Sequence, residues 1–286
     1  MDHGRPNSRL EKTNCRFNGM ARRCYNNSDC LATTHLLPYM EGDLLQLTLE
    51  RLASSWTKFA FFLRLVYGER HLLRFRSLTV EEHFTRIYEE NIWGDEESVS
   101  GSTSTFEASE TIRETLPSML KDLGTHSFLD IPCGDFNWMQ HVELGVDQYI
   151  GADIVRSLVD HNQQKFGTQG REFILLDLLE DELPQVDMIF VRECFIHFSI
   201  ADIWKALQNI KNSGATYLLT TTHPKLRRNI NINTGSWRPI NLEKKPFNLP
   251  EPYRLLSEFP HWLGVMDKHM GLWRVADLDL PGGQVN

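Results

Sequence analysis

The chain is poor in cysteine and shows no pattern among the few it has. Cys15, Cys24, Cys30, Cys133 and Cys194 form an odd set with no Cys-x-x-Cys pair. That gives little basis for a zinc site or a disulfide framework. There is no Gly-x-Gly-x-x-Gly run, so the backbone cradle that a dinucleotide pyrophosphate requires is missing. No uncharged stretch is long enough to span a bilayer, and no transmembrane segment is expected. Positive charge is in deficit: 30 Lys and Arg face 38 Asp and Glu, a net charge of −8. A general binder of nucleic acid or anionic membrane needs a basic face, so no nucleic-acid partner is expected. The short clusters Lys225-Leu226-Arg227-Arg228 and Lys244-Lys245 read as solvated loops. No apolar signal-type segment opens the sequence, which points to a reducing, cytoplasmic setting. His261 and His269 lie in no ligand spacing, and no metal is expected.

What the chain does have is enough length and apolar content for a core. Its 286 residues, 41% hydrophobic, suit one α/β domain plus an extension. Residues 1–40 are polar and aperiodic and read as a flexible leader. Residues 41–104 read as a helical extension. Within it Leu45, Leu49, Leu52, Trp56, Phe59 and Leu63 recur at helical spacing. This stripe would pack on the main domain or on a second subunit, making a homodimer possible; its Phe59–Phe62 cluster could also suit a membrane surface. Thr79-Val80-Glu81-Glu82 is a capping box that opens the next helix. The polar stretch Asp95–Ser104 then reads as a linker or a lid. Trp93 beside it is either a flat plate over a ligand or a core plug ending its helix. Ser104 to Glu107 reads as a second capping box, opening a helix that buries Ile112, Leu116, Met119, Leu120 and Leu123, with Pro117 kinking or restarting it.

From residue 105 to 276 the pattern becomes a regular strand–helix alternation. Ser127–Asp130, Gln148–Asp153, Phe173–Asp177, Val186–Val191 and Thr216–Thr222 are apolar runs of strand length. The first is followed by an amphipathic segment, Phe136–Val142, expected as a helix. Leu158–Phe166 and a helix capped by Ser199 follow later strands. Continuous apolar strands separated by helices predict a buried, mostly parallel sheet with helices on both faces. Leu255–Phe259 and Gly271–Val275 are expected to add a two-stranded unit at the sheet edge, and residues 277–286 to form a tail.

The first three strands each finish at or near a carboxylate: Asp130, Asp153 and Asp177. Burying an unpaired carboxylate is costly, but at the carboxyl edge of a parallel sheet each would face the ligand crevice. Asp153 follows Gly134 at about the separation from which an acid reaches ribose hydroxyls. Asp177 is placed to accept from an adenine amino group, and Asp130 to hold a cationic amine. The competing reading makes all of them helix caps. Asp135, beside the lone turn glycine, would repel phosphate. The ligand suggested is a nucleoside carrying positive charge and no phosphate, and S-adenosyl-L-methionine has that chemistry.

Leu129-Asp130-Ile131-Pro132-Cys133-Gly134-Asp135 resembles the first motif of class I SAM-dependent methyltransferases. Tyr149–Asp153, Phe173–Asp177 and Asp187–Glu193 resemble the motifs that follow, in order. The similarity extends to a poorly characterised subgroup through Asp130–Met139, Trp93-Gly94, Ser100-Gly101 and Gly235–Pro239. It implies a Rossmann-like, seven-stranded sheet and a SAM-binding domain over residues 105–276. It implies cofactor contacts at Trp93, Gly101, Asp130, Pro132, Gly134, Asp153, Ile154, Asp177, Leu178 and Arg192. Pro132 and Phe136 depart from the family by replacing its outer glycines.

Methyl transfer needs alignment, plus a base where the nucleophile must lose a proton. If a helical turn begins after the fourth strand, Glu193 and His197 share one face. His197 is then the expected base, with Glu193 orienting it or binding the acceptor; His223 is a second candidate. Trp237, Arg238, Phe247 and Trp262 are expected to cover the acceptor pocket. The function expected is O- or N-methylation of a small-molecule acceptor. The alternative is a non-catalytic, methyltransferase-like SAM-binding regulatory or partner subunit.

Overall fold

The structure is a computed structural model that describes residues 78–93, 95–258 and 267–280. The leader, the Leu44–Tyr67 stripe with its dimer and membrane readings, His261, Trp262 and residues 281–286 lie outside the described residues.

Seven strands form one sheet in the order β3-β2-β1-β4-β5-β7-β6. They are β1 (Ser127–Asp130), β2 (Gln148–Asp153), β3 (Arg171–Leu175), β4 (Met188–Val191), β5 (Tyr217–Thr222), β6 (Arg254–Ser257) and β7 (His269–Arg274). The first five run parallel. β7 pairs antiparallel with both β5 and β6. This is the expected Rossmann-like, mostly parallel sheet, and the late two-stranded unit lies at its edge as the apolar runs implied.

Alternation along the central strands sorts the core into two layers. Phe128, Met188 and Phe190 pack with Ile112, Leu116, Met119 and Leu120 of α2 (Glu110–Leu123) and with Val159 of α3 (Arg156–Phe166). Leu129, Ile189 and Val191 turn to the other face. There they meet Ile203, Ala206, Leu207 and Ile210 of α4 (Ile200–Asn212). These side chains are almost wholly removed from water, and each of them larger than alanine stabilises the fold by roughly 1.5–3 kcal/mol. Ser199 caps α4 as expected, its hydroxyl accepting from the Asp202 amide at 3.1 Å. α2 runs through Pro117 without a break.

The capping box that opens α1 (Val80–Glu89) forms in both directions: the Glu82 amide donates to Thr79 Oγ1 at 3.2 Å and the Thr79 amide to Glu82 Oε2 at 2.8 Å. α1 lays Val80 and Phe84 on the α4-side core. The second capping box does not form. Ser104 ends a single 3-10 turn, and α2 begins six residues later. The Ser104 carbonyl is instead tied to Asn137 Nδ2 at 3.1 Å.

No helix follows β1. Phe136 sits at φ 57°, a left-handed conformation that stops a helix at its first residue. Its ring is pinned among Tyr149, Phe166 and Phe173, at centroid distances of 5.5, 5.1 and 5.0 Å. Only one 3-10 turn, Met139–His141, remains of the amphipathic segment.

Candidate functional site

A cavity with about 1140 Å³ of empty space, part of it open to solvent, lies beyond the carboxyl ends of β1, β2, β3 and β4. This is where the strand order reverses direction, between β1 and β4, the usual ligand crevice of an open α/β sheet. One wall comes from the strand-end loops. The other comes from α1 and the arm after it, through Val80, Phe84, Ile87, Tyr88, Trp93, Ser100 and Thr103. Of the residues singled out from the sequence, Trp93, Asp130, Pro132, Gly134, Asp153, Ile154, Asp177, Leu178, Arg192, Glu193 and His197 all line it. Gly101 does not; it lies beneath Trp93. At φ 93° it takes a conformation L side chains avoid, and a Cβ there would reach Trp93 Cβ at 3.4 Å.

The β1 turn is held by its own acid. One Asp135 oxygen accepts from the Ser98 hydroxyl at 2.9 Å and the Val99 amide at 3.0 Å. The other accepts from the Ser100 hydroxyl and the Asn137 amide, each at 3.2 Å. The Asp135 amide returns a bond to Ser100 Oγ at 2.9 Å. Asp135 therefore clamps the arm onto the turn. Gly134 makes this closure possible: its φ is 57°, and a Cβ there would meet Ser100 Oγ at 2.4 Å. The sequence signal was present in the Ser98–Ser100 cluster and in an acid directly after the turn glycine. Nothing in the sequence paired them.

Asp130 and Asp153 are buried, 3% and 5% exposed. Asp130 accepts from the Tyr149 hydroxyl at 2.6 Å. Burial raises its pKa to about 7 against the pull of Tyr149 and Arg192, and nearby Asp153 adds to the rise. Asp153 is fixed through both oxygens, one accepting from the Gly134 amide and one from the Val155 amide, each at 3.1 Å. Burial still raises its pKa to about 6. Asp177 lies two residues beyond the end of β3 and accepts from the Leu179 amide at 2.8 Å. Neither Asp153 nor Asp177 caps a helix: the residue before α3 is Val155, with no side-chain cap bond, and only a turn follows Asp177. Each carboxylate closes a local turn, and each of its oxygens has a second lone pair. All three carboxylates line the cavity.

At the other end, His197 stacks on Trp93, with centroids 5.1 Å apart and planes at 28°. Its Nδ1 donates to the Ser236 carbonyl at 2.8 Å. That bond leaves the lone pair on Nε2, and burial lowers the imidazole's pKa. Trp93 is 37% exposed, so it is no core plug.

The expected helical pairing of Glu193 with His197 does not occur. Glu193 has φ 54°, and a 3-10 turn, Phe195–His197, replaces the helix. The Glu193 carboxylate meets Lys268 Nζ at 3.1 Å. Burial opposes its ionisation, but Lys268 and then Arg192 overcome that and hold it well below the usual carboxylate range. Lys268 also reaches Glu258 at 3.4 Å, and Glu258 pairs with the Arg192 guanidinium. Arg192 donates to the Thr103 carbonyl at 2.7 Å and lies over the Trp138 ring at 5.2 Å. Lys268 and Glu258, both buried, were missed because nothing in the local sequence marks them.

Among the described tail residues expected over the acceptor, Trp237, Arg238 and Phe247 do not line the cavity. Arg238 is fully buried and holds the carbonyls of Phe195 and Phe198. Phe247 is buried against Trp204 at 5.4 Å, and Trp237 packs against the core. An Arg–aromatic mixture in a Pro-rich segment has here become interior, because the segment folds back across the 195–198 turn. His223 is also buried, near the Ile240 carbonyl, and stands outside the cavity.

No protein-family model matches the chain, and no curated protein matches it. Among solved structures, the chain is similar to the magnesium protoporphyrin IX methyltransferase of Synechocystis PCC 6803, solved with bound SAM. Identity there is 13% and the TM-score 0.47, over 69% of this chain and 97% of that one. It is similar to the methyltransferase domain of a bacterial Hen1, CtHen1-C, at 13% identity and TM-score 0.45, over 58% and 97% of the two chains. A third is the N-methyltransferase NodS of Bradyrhizobium japonicum WM9 in complex with S-adenosyl-L-homocysteine, at 13% identity and TM-score 0.39, over 48% and 73%.

Proposed function

We propose that this chain is a SAM-dependent methyltransferase acting on a small, largely apolar acceptor at an oxygen or nitrogen atom. The observation that carries the reading is the pair of buried carboxylates, Asp130 and Asp153, at the ends of adjacent parallel strands on one cavity. Two such groups with raised pKa values are waiting for donors and positive charge, which S-adenosylmethionine would supply.

The donor set fits that molecule. Asp153, its carboxylate locked by two backbone amides, can accept from a ribose diol with its remaining lone pairs. Asp177 and the neighbouring Ile154 and Leu178 suit the adenine. Asp130 suits the ammonium group. The turn offers one glycine and an acid already engaged with the arm, so a phosphate would find no amide cradle.

When bound, the cofactor supplies an electrophilic methyl group on a sulfonium. The chain's own residues do the rest. Trp93, Phe84 and Tyr88 wall an apolar acceptor compartment and exclude water. The Ser236 carbonyl fixes the His197 ring, so that Nε2 can take the acceptor's proton as the new bond forms. Glu193, kept ionised by Lys268, provides a negative field close to that imidazolium.

The test uses the full-length protein, SAM carrying a labelled methyl group, and a fractionated metabolite extract. Label should enter one low-molecular-weight fraction, and His197→Ala should abolish it. Absence of both SAM binding by calorimetry and label transfer would overturn the reading.

A further inference from the structure

The two short basic clusters, read separately from the sequence as solvated loops, are joined by the fold. Asn229 donates through Nδ2 to the carbonyls of Asn241 at 2.8 Å and Lys245 at 2.9 Å. Asn241 donates through Nδ2 to the carbonyls of Pro224 at 2.9 Å and Leu226 at 3.0 Å, and its amide donates to Asn229 Oδ1 at 2.8 Å. This reciprocal staple sets the 224–229 and 241–245 backbones side by side. Lys225, Arg227, Arg228, Lys244 and Lys245 are all exposed, and so is Ile230, at 45%. Acids beside the patch among the described residues include Asp267, which Lys225 Nζ approaches at 3.5 Å, and half-buried Glu243. A chain with net charge −8 thus concentrates positive charge on one face.

The chain that joins the two clusters reaches the His197 end of the cavity. The stretch between the two basic clusters carries Ser236, which holds His197, and its Gly235 amide donates to the His197 carbonyl at 2.7 Å. It also carries Arg238, which secures the 195–198 turn.

We propose that this patch docks the protein on an anionic lipid surface, with Ile230 entering the headgroup boundary. Clustered Lys and Arg beside an exposed aliphatic residue match a negatively charged bilayer. A single-stranded nucleic acid would call for aromatic side chains on which bases stack, and the exposed apolar residue of this patch is aliphatic. The proposal stands independently of the methyltransferase reading, because its readout involves neither SAM nor an acceptor.

The experiment is co-sedimentation of the full-length protein with phosphatidylcholine vesicles, with and without about one-third phosphatidylserine, at low and high salt. Binding should require phosphatidylserine and weaken with salt. Since each basic residue near such a surface contributes about a fivefold gain in partitioning, R227Q/R228Q/K244Q/K245Q should lose on the order of a hundredfold or more. The charge-reversed pair K244E/K245E serves as a second variant, and both should keep the wild-type melting temperature because every altered side chain is exposed. Vesicle binding that persists in both variants would place the contact elsewhere in the chain and overturn the proposal. So would failure of the wild type to bind, or a gel shift of a random RNA that needs these residues while vesicles do not sediment the protein.

Discussion

The two ends of the cavity are built in opposite ways. At the β1–β3 end, the polar groups sit at strand ends and find partners within the next few residues or within the β1–β2 unit: Asp153 meets Val155 and Gly134, Asp177 meets Leu179, and Asp130 meets Tyr149. At the α1–β4 end, the partners are remote. His197 is held by Ser236, Glu193 by Lys268, Arg192 by Glu258, and the turn between them by Arg238. The first end is a motif. The second is an assembly that exists only once the late segments have packed, so under the proposed function substitutions should separate cofactor binding from the integrity of the proposed acceptor side.

The largest effect is expected at Arg238→Met. It takes the guanidinium donor from the buried Phe198 carbonyl, at about 1–3 kcal/mol, leaves the Phe195 carbonyl only the Phe198 amide at 3.3 Å, and removes the charged side chain that ties the turn to the late segment. Urea unfolding should show a loss of several kcal/mol, with near-normal SAM affinity in the fraction that remains folded. A loss below about 1 kcal/mol would mean that the acceptor side does not depend on the late segment.

Next comes Asp153→Ala. Removing the acceptor of two charge-assisted bonds should weaken SAM binding about a hundredfold or more by calorimetry, at roughly 1.5–3 kcal/mol per bond. Because the Gly134 and Val155 amides also lose their acceptor, a modest fall in melting temperature should accompany it. Unchanged affinity would remove Asp153 from the site.

Binding of a cationic cofactor should also depend on pH. Asp130 and Asp153 have pKa values raised to about 7 and about 6, so they gain their charges between pH 5 and 8. SAM affinity should rise by about tenfold or more across that window and level off above it. Without ligand the sign reverses. These groups hold protons more tightly folded than unfolded, so the stability they confer is full below about pH 4 and is lost as pH rises through 6 and 7. Asp130→Asn should flatten the affinity profile; a variant that keeps the wild-type profile would assign it to other groups.

The smallest change in stability is expected at Trp93→Ala. A fully buried aromatic costs about 3–5 kcal/mol on truncation, but Trp93 keeps 37% of its surface in water, so a loss of about 1 kcal/mol is expected. The ligand-linked change in tryptophan fluorescence should shrink in the variant, and SAM binding should weaken. A drop of many degrees in melting temperature with an undisturbed SAM response would restore the core-plug reading.

The sheet was legible because its signals are local. Apolar runs at strand length, separated by segments of helical period, can be counted without knowing what packs on what. The same holds for Asp130, Asp153 and Asp177, whose position after each run already puts them at the edge that faces the cavity. Phe136 shows where such reading fails. Its segment has helical periodicity, yet three aromatic rings from other elements hold its backbone in a left-handed conformation.

The sequence by itself determined the strand pattern, the carboxylate-lined edge and the capping of α1 and α4, because each depends on spacing within one stretch of chain. Tertiary structure alone decided that Asp135 clamps the arm over Gly134, that Lys268 keeps Glu193 charged, and that Arg238 is buried rather than facing a substrate. It also decided that two weak basic clusters become one face. These outcomes depend on which distant donors and acceptors share a low-dielectric interior, where an unpaired polar group is costly and every partner must be found across the fold.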